Sequence, residues 1–108
     1  MPLTLDDVQK IVDERVQKTP FGYFPYDKIF EKWDEERGET RDALMIYENS
    51  PTEENMKALK TEIGDVFFAM ICLVNKKGIS LEECFDLMIK KNQERAKNDY
   101  RKEDKSSR

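Results

Sequence analysis

The chain has 108 residues, of which 39% are charged and only four are glycine and four proline, so we expect one mainly helical domain. Its formal net charge of −4 disfavours a nucleic-acid polymer or an anionic membrane as a partner, because either would need a basic surface. The chain contains no histidine, which excludes histidine-based acid–base catalysis, ordinary zinc sites and histidine-ligated di-iron sites.

The first predicted helix covers about residues 5–18, with Thr4 as its N-cap. Apolar residues recur along it at helical spacing and form a single stripe: Leu5, Val8, Val12 and Val16. A loop rich in aromatic residues follows at positions 19–25, where Pro20, Gly22 and Pro25 disfavour regular structure.

The second predicted helix covers about residues 26–48. Its inward stripe mixes apolar residues with an acid, and it reads Ile29, Trp33, Glu36, Thr40, Ala43, Leu44 and Tyr47. An acidic side chain inside an apolar stripe is unusual, because an unpaired buried charge is costly.

The third predicted helix begins with Ser50 as N-cap, Pro51 at the first helical position and Glu53 completing a capping box. It ends at Gly78, after two lysines that suit the negative end of the helix dipole. Its centre, residues 66–74, is apolar on every face and therefore needs cover on every face. We expect a homodimer with this helix near the interface; a monomeric bundle that wraps the helix is the alternative.

The fourth predicted helix starts from a capping box at Ser80 and Glu83 and continues to about residue 98. Its apolar stripe consists of Leu81, Cys84, Phe85 and Met88. The sequence thus predicts an all-α, four-helix-type bundle over residues 1–98, assembled as a homo-oligomer, and a charged, disordered tail over residues 99–108.

Two cysteines bear on the cellular compartment. Cys72 and Cys84 lie in apolar helical patterns without metal-like spacing, so we expect buried free thiols and a reducing, cytoplasmic setting. No signal peptide is visible, and the longest apolar run is far shorter than the roughly 20 residues that a membrane span needs.

Two pairs of acids carry the functional prediction. Glu36 and Glu39 are three residues apart on the second helix, as are Glu62 and Asp65 on the third, so each pair shares a helix face beside apolar residues. Four converging carboxylates would repel one another unless a cation lay between them. Oxygen ligands alone favour Mg²⁺, with Mn²⁺ as a substitute. A single such pair is often only solvated surface, but two flanked by apolar residues favour the metal site.

Five further residues are candidates for the chemistry. Glu35 precedes the first pair and is a candidate base for an attacking water, with a solvated acid as the alternative. Asn92 and Arg95 take over the stripe of the fourth helix and are candidates for binding phosphate, with Lys91 adding charge; solvent exposure is the alternative. Trp33 is a candidate for stacking on a base, although core packing is an alternative.

These residues resemble the MazG-like nucleoside triphosphate pyrophosphohydrolases of the all-α NTP pyrophosphatase superfamily. The family pattern E-E-x-x-E is matched at residues 35–39 and E-x-x-D at residues 62–65, and the likeness covers about residues 20–97, including Asn92 and Arg95 of an N-x-x-R motif. Met88 and Ile89 stand where the family often has a lysine, a place that Lys90 or Lys91 could fill.

The resemblance implies a dimeric or tetrameric helical bundle that converts NTP or dNTP to NMP and pyrophosphate and clears unwanted nucleotides. It implies metal ligation by Glu36, Glu39, Glu62 and Asp65. Two alternatives remain: a superfamily relative acting on another pyrophosphate, such as phosphoribosyl-ATP, dUTP or dCTP, and a non-catalytic helical interaction module. A metal-storage or di-iron bundle is disfavoured because the chain has no histidine.

Overall fold

The computed structural model describes residues 2–102, with side chains as far as residue 98. It consists of four helices, α1 (Leu5–Gln17), α2 (Tyr26–Asn49), α3 (Glu53–Lys77) and α4 (Leu81–Lys102), and it has no strand within the described residues. The all-α prediction is therefore confirmed. Helices α2 and α3 pack against each other extensively, whereas α1 lies against both α3 and α4.

Helix α1 begins as predicted at Thr4. The Thr4 hydroxyl accepts a hydrogen bond from the Asp7 backbone N–H, and the Asp7 carboxylate accepts one from the Thr4 N–H, both at 3.1 Å. This capping box satisfies N–H groups that have no partner within the helix. The buried face of α1 then places Val12 and Val16 against Ile71 of α3, which forms a small apolar core.

A polar contact fixes α1 against the turn between α3 and α4. The Gln9 amide donates to Asn75 Oδ1 at 2.8 Å and to the Ile79 carbonyl at 3.0 Å, while Gln9 Oε1 accepts from the Leu81 N–H at 2.8 Å. The turn itself depends on Gly78, whose φ of +76° lies in the left-handed region that favours glycine. The predicted end of the third helix is confirmed.

The predicted start of the third helix is wrong by two residues. The N-cap is Thr52, whose hydroxyl accepts from the Asn55 N–H at 3.0 Å, and Glu53 is the first helical residue. Ser50 instead ends α2 as its C-cap, so Pro51 lies in the connection and not in the first turn. Both Ser50 and Thr52 have the chemistry of an N-cap. Because Ser50 is already the C-cap of α2, only Thr52 is free for that role.

Helix α4 begins as predicted, with the Glu83 N–H donating to Ser80 Oγ at 3.3 Å. It continues to Lys102, beyond the expected end at residue 98. The rest of the predicted tail, residues 103–108, lies outside the described part of the chain.

Several apolar side chains of one chain face solvent. On α3, Phe67 and Phe68 are 51% and 38% exposed, and on α4 Leu87 is 68% exposed. A single chain therefore leaves part of the apolar centre of α3 uncovered, and the expected homodimer stays a prediction. Leu44, placed in the inward stripe of α2, is exposed as well.

Within residues 2–102, no helix combines the length and the apolar character that crossing a bilayer would require.

Candidate metal centre

The acids that the sequence singled out lie where α2 and α3 pack against each other. Carboxylate oxygens of Glu36, Glu62 and Asp65 approach within 4.8 Å of one another, although they come from two different helices. Glu35, Glu36 and Glu39 form a second group within the same distance. Glu36 belongs to both groups, so the five acids make one continuous cluster, which we call the acid cluster.

Burial separates two of these acids from ordinary surface carboxylates. Glu36 is only 8% exposed and is the one charged residue classed as buried among those whose side chains are described. The Oε1 atom of Glu62 is shielded from solvent and has no hydrogen-bond partner among the described residues. A buried acceptor without a partner costs free energy, so its presence requires an explanation.

The environment makes both carboxyls reluctant to ionise. Burial, followed by a hydrogen bond with Glu39 and the charges of Glu39 and Asp65, raises the pKa of Glu36 above its ordinary value of 4.5. Burial and the charges of Glu39 and Asp65 raise the pKa of Glu62 in the same way. Like charges and loss of water both disfavour the charged form, and a cation among the oxygens would reverse that effect.

The residues present fit a hard divalent cation. Every ligand in the acid cluster is a carboxylate oxygen, which suits Mg²⁺ or Mn²⁺ far better than a softer metal. The unpartnered Oε1 of Glu62 is an acceptor that such an ion would satisfy. The acid cluster could therefore hold a divalent metal ion.

Glu35 occupies the exposed edge of the acid cluster. Its Oε1 lies 3.0 Å from Lys32 Nζ in an exposed salt bridge between residues three apart on α2. The positive charge of Lys32 acts against burial at Glu36, because it favours the charged carboxylate. It offsets only part of the rise in the pKa of Glu36. Sequence reasoning missed Lys32, although the i, i+3 spacing from Glu35 was a usable signal.

The other candidates lie apart from these contacts. Lys91, Asn92 and Arg95 are exposed on α4, and within the described residues none of them makes a hydrogen bond or salt bridge to the acid cluster. The Asn92 amide instead lies 3.2 Å from Met88 Sδ on its own helix. Trp33 is half-buried one turn before Glu36, with its ring centroid 5.9 Å from that of Phe30.

Comparison with known proteins decides the family. Residues 25–99, about two thirds of the chain, match the model of the MazG nucleotide pyrophosphohydrolase domain. The chain belongs to the MazG family. This family is one of hydrolases, so the resemblance read from the two acidic motifs is confirmed.

Individual relatives agree with this assignment. The uncharacterized protein YpjD of Bacillus subtilis (strain 168) is 36% identical over 91 residues, which is 82% of each chain. A crystal structure of the Bacillus-conserved MazG protein, a nucleotide pyrophosphohydrolase, is 31% identical with a TM-score of 0.72, over 83% of this chain and 89% of that one. The structure of Bacillus subtilis YPJD, a proposed pyrophosphatase, is 32% identical with a TM-score of 0.72, over 86% of this chain and 98% of that one.

Proposed function

We propose that this MazG protein is a Mg²⁺-dependent nucleotide pyrophosphohydrolase that converts NTP or dNTP to NMP and pyrophosphate. The observation that carries the proposal is the acid cluster, in which buried Glu36 and the unpartnered oxygen of Glu62 lie together on facing helices. An arrangement that destabilises the metal-free protein is hard to explain without a ligand that offsets the cost.

In this proposal Glu36, Glu39, Glu62 and Asp65 hold the metal, with Mn²⁺ able to replace Mg²⁺. The bound cation supplies charge neutralisation for the phosphate chain and lowers the pKa of water. The protein contributes by fixing four carboxylates on two packed helices, so that little reorganisation is needed when substrate binds.

Glu35 is the proposed base. Its carboxylate accepts a proton from the attacking water while the water oxygen forms a bond to the α-phosphorus. The bond from that phosphorus to the bridging oxygen breaks, and pyrophosphate leaves with the electron pair. The exposure of Glu35 beside Glu36 supports this role, because the residue can meet both solvent and substrate.

The remaining candidates would bind the nucleotide. Asn92 and Arg95 hold phosphate oxygens, Lys91 adds positive charge, and Trp33 offers an aromatic surface to the nucleoside. These assignments depend on the chemistry of the side chains and, for Asn92 and Arg95, on their places in the N-x-x-R motif.

We further propose a homodimer or homotetramer in the cytoplasm that clears unwanted nucleotides. Exposed Phe67, Phe68 and Leu87 support the oligomer, because apolar side chains of this size favour a covered surface. The two free thiols, Cys72 and Cys84, suit a reducing compartment.

A panel of nucleotides tests the reaction. The purified protein is incubated with Mg²⁺ and each canonical and non-standard NTP, dNTP, dUTP, dCTP or phosphoribosyl-ATP, and the products are separated. Release of pyrophosphate with the matching monophosphate, abolished by chelation, is the expected result. Orthophosphate and a diphosphate would contradict attack at the α-phosphorus, and no turnover would favour a non-catalytic interaction module.

A further inference from the structure

An open groove extends from the acid cluster along the packed faces of α2 and α3. Its volume is about 280 Å³, and its lining combines small or apolar side chains with oxygen-bearing ones: Glu39, Asp42, Ala43, Ile46, Asn55, Ala58 and Glu62. Glu39 and Glu62 belong to the acid cluster, so the groove and the candidate metal site share a wall.

The groove has a polar end and an apolar middle. Ala43 and Ile46 lie about one and two turns beyond Glu39 on α2, and Ala58 faces the same space from α3. Asn55 is two turns before Glu62, which corresponds to about 10 Å along the helix axis. That separation is comparable with the length of a nucleoside from its 5′-phosphate to the far edge of its base.

One hydrogen bond holds the side chain of Asn55, and another holds its backbone. Its Nδ2 donates to the Ser50 carbonyl at 2.8 Å, and its backbone N–H donates to Thr52 Oγ1 at 3.0 Å. This bond uses one of the two Nδ2 hydrogens and orients the amide, and Oδ1 has no partner in the described part of the chain. Asn55 therefore offers the groove a hydrogen-bond acceptor, as does the carboxylate of Asp42.

We propose that this groove binds the base of the nucleotide and that Asn55 selects bases carrying an exocyclic amino group. The inference depends on the proposed function, since the phosphates must lie at the acid cluster. Ala43, Ile46 and Ala58 contact the faces of the base, and Asn55 Oδ1 accepts a hydrogen bond from its amino group. A base with a carbonyl oxygen at that position would place two acceptors against each other and bind less well.

Matched substrate pairs test the selection directly. CTP and UTP differ by an amino group in place of a carbonyl oxygen, and so do ATP and ITP. We expect the wild-type kcat/KM to favour CTP over UTP and ATP over ITP by about tenfold, because one hydrogen bond is gained and one repulsion avoided. Equal kcat/KM values within both pairs would overturn this inference but leave the proposed function intact, whereas no pyrophosphate release from any nucleotide would overturn both.

Two variants locate the selection at Asn55. Asn55→Ala removes the acceptor, so the kcat/KM ratios of CTP to UTP and of ATP to ITP should both fall towards one, mainly through a higher KM for CTP and ATP. Thr52→Ala is the matched control, because it removes the cap at the same end of α3 while the Asn55 amide remains. The control should keep the wild-type ratios. If Asn55→Ala kept them too, the amide would have no part in selection.

Filling the groove gives an independent test that holds even if Asn55→Ala fails to fold. Ala58→Leu adds bulk in the middle of the groove, one helical turn before Glu62, and it leaves every carboxylate of the acid cluster in place. We expect the KM for all four nucleotides to rise at least about tenfold, while the thermal shift produced by Mg²⁺ alone stays as in the wild type. Lys57→Leu is the matched control, because it adds a leucine at the neighbouring exposed position of α3, outside the groove lining, and it should leave the four KM values near those of the wild type. Unchanged KM values in Ala58→Leu would place the base outside the groove.

Discussion

The α2–α3 pair and helix α4 violate the usual rules of burial in opposite ways. Along α2 and α3, charged residues that ordinarily face water are withdrawn from it, with Glu36 buried and Glu62 Oε1 left without a partner. Along α4, apolar residues that ordinarily face a core are exposed, and Leu87 and Ile89 are 68% and 50% exposed. Each departure indicates something that a single metal-free chain lacks.

The missing component differs between the two regions. Carboxylates that converge from two helices suit a divalent cation, because one ion can accept lone pairs from several oxygens at once. Exposed apolar side chains require a second apolar surface, because their cost arises from contact with water. We therefore propose that the α2–α3 pair carries the chemistry and that the exposed faces of α4 and α3 carry the assembly.

The largest expected effect comes from removing one acid of the cluster. Glu36→Gln keeps the shape of the side chain but removes its charge, so turnover should fall at least about 100-fold, a loss typical of a major electrostatic contribution. Release of pyrophosphate measures the activity, and circular dichroism checks that the helices are intact.

A matched control separates this effect from the loss of any acid on α2. Asp34→Asn removes an exposed carboxylate two residues away, 3.6 Å from Arg37, and turnover should remain near the wild-type value. Equal activity in Glu36→Gln and the wild type would show that Glu36 is not a ligand.

The next effect concerns assembly. Leu87→Glu and Phe67→Glu each place a charge on an exposed apolar face, so each should weaken the homo-oligomer by at least about 100-fold. Light scattering coupled to size-exclusion chromatography measures the mass. Lys97→Glu, an exposed charge reversal on α4, should leave the mass unchanged. A wild-type mass equal to that of one chain would contradict the assembly.

A smaller effect is expected on the stability of the metal-free protein. Because the folded state raises the pKa of Glu36 above 4.5, it binds the proton more tightly than the unfolded chain does. The charged form thus destabilises the fold at neutral pH, and Glu36→Gln should raise the Tm there by a few degrees. This difference in Tm between Glu36→Gln and the wild type should shrink as the pH falls through the raised pKa towards 4.5, where the folded and the unfolded wild type both take up the proton.

Differential scanning calorimetry in chelator measures this difference at about pH 7 and about pH 5. Adding Mg²⁺ at neutral pH should raise the wild-type Tm and leave that of Glu36→Gln nearly unchanged. A variant less stable than the wild type in chelator would show that Glu36 stabilises the metal-free fold and is not strained by it.

The smallest effect is expected at Lys32. Its salt bridge to Glu35 is exposed, with side chains 61% and 57% accessible, so Lys32→Gln should change the free energy of unfolding by less than about 0.5 kcal/mol. Chemical denaturation measures the change, and Lys90→Gln, which breaks a similar pair with Asp86 on α4, is the control. A loss of several kcal/mol at Lys32 alone would make it a structural part of the acid cluster.

Local signals were enough to predict the helices and the convergence of the acids. The spacing of three residues places the two acids of each pair on one face of their helix, and the apolar neighbours of that face favour its packing against another helix. Thr4 and Gly78 act within one turn of their own helix ends, so their effect is also local.

The sequence did not predict features that depend on distant parts of the chain. Ser50 and Thr52 have equal capping chemistry, and only the exit of α2 decides between them. The position of α4 against α1 depends on Gln9, which is 72 residues from Leu81. The groove at Asn55 forms only when α2 and α3 pack against each other, so no local sequence pattern predicts it.

The central claim is that the acid cluster holds a divalent cation, and anomalous diffraction from crystals soaked in Mn²⁺ tests it most directly. The account predicts an anomalous peak between α2 and α3, roughly 2.1 Å from carboxylate oxygens of Glu36, Glu62 and Asp65. Crystals saturated with Mn²⁺ that show no peak there, with Glu62 Oε1 still unpartnered, would contradict it.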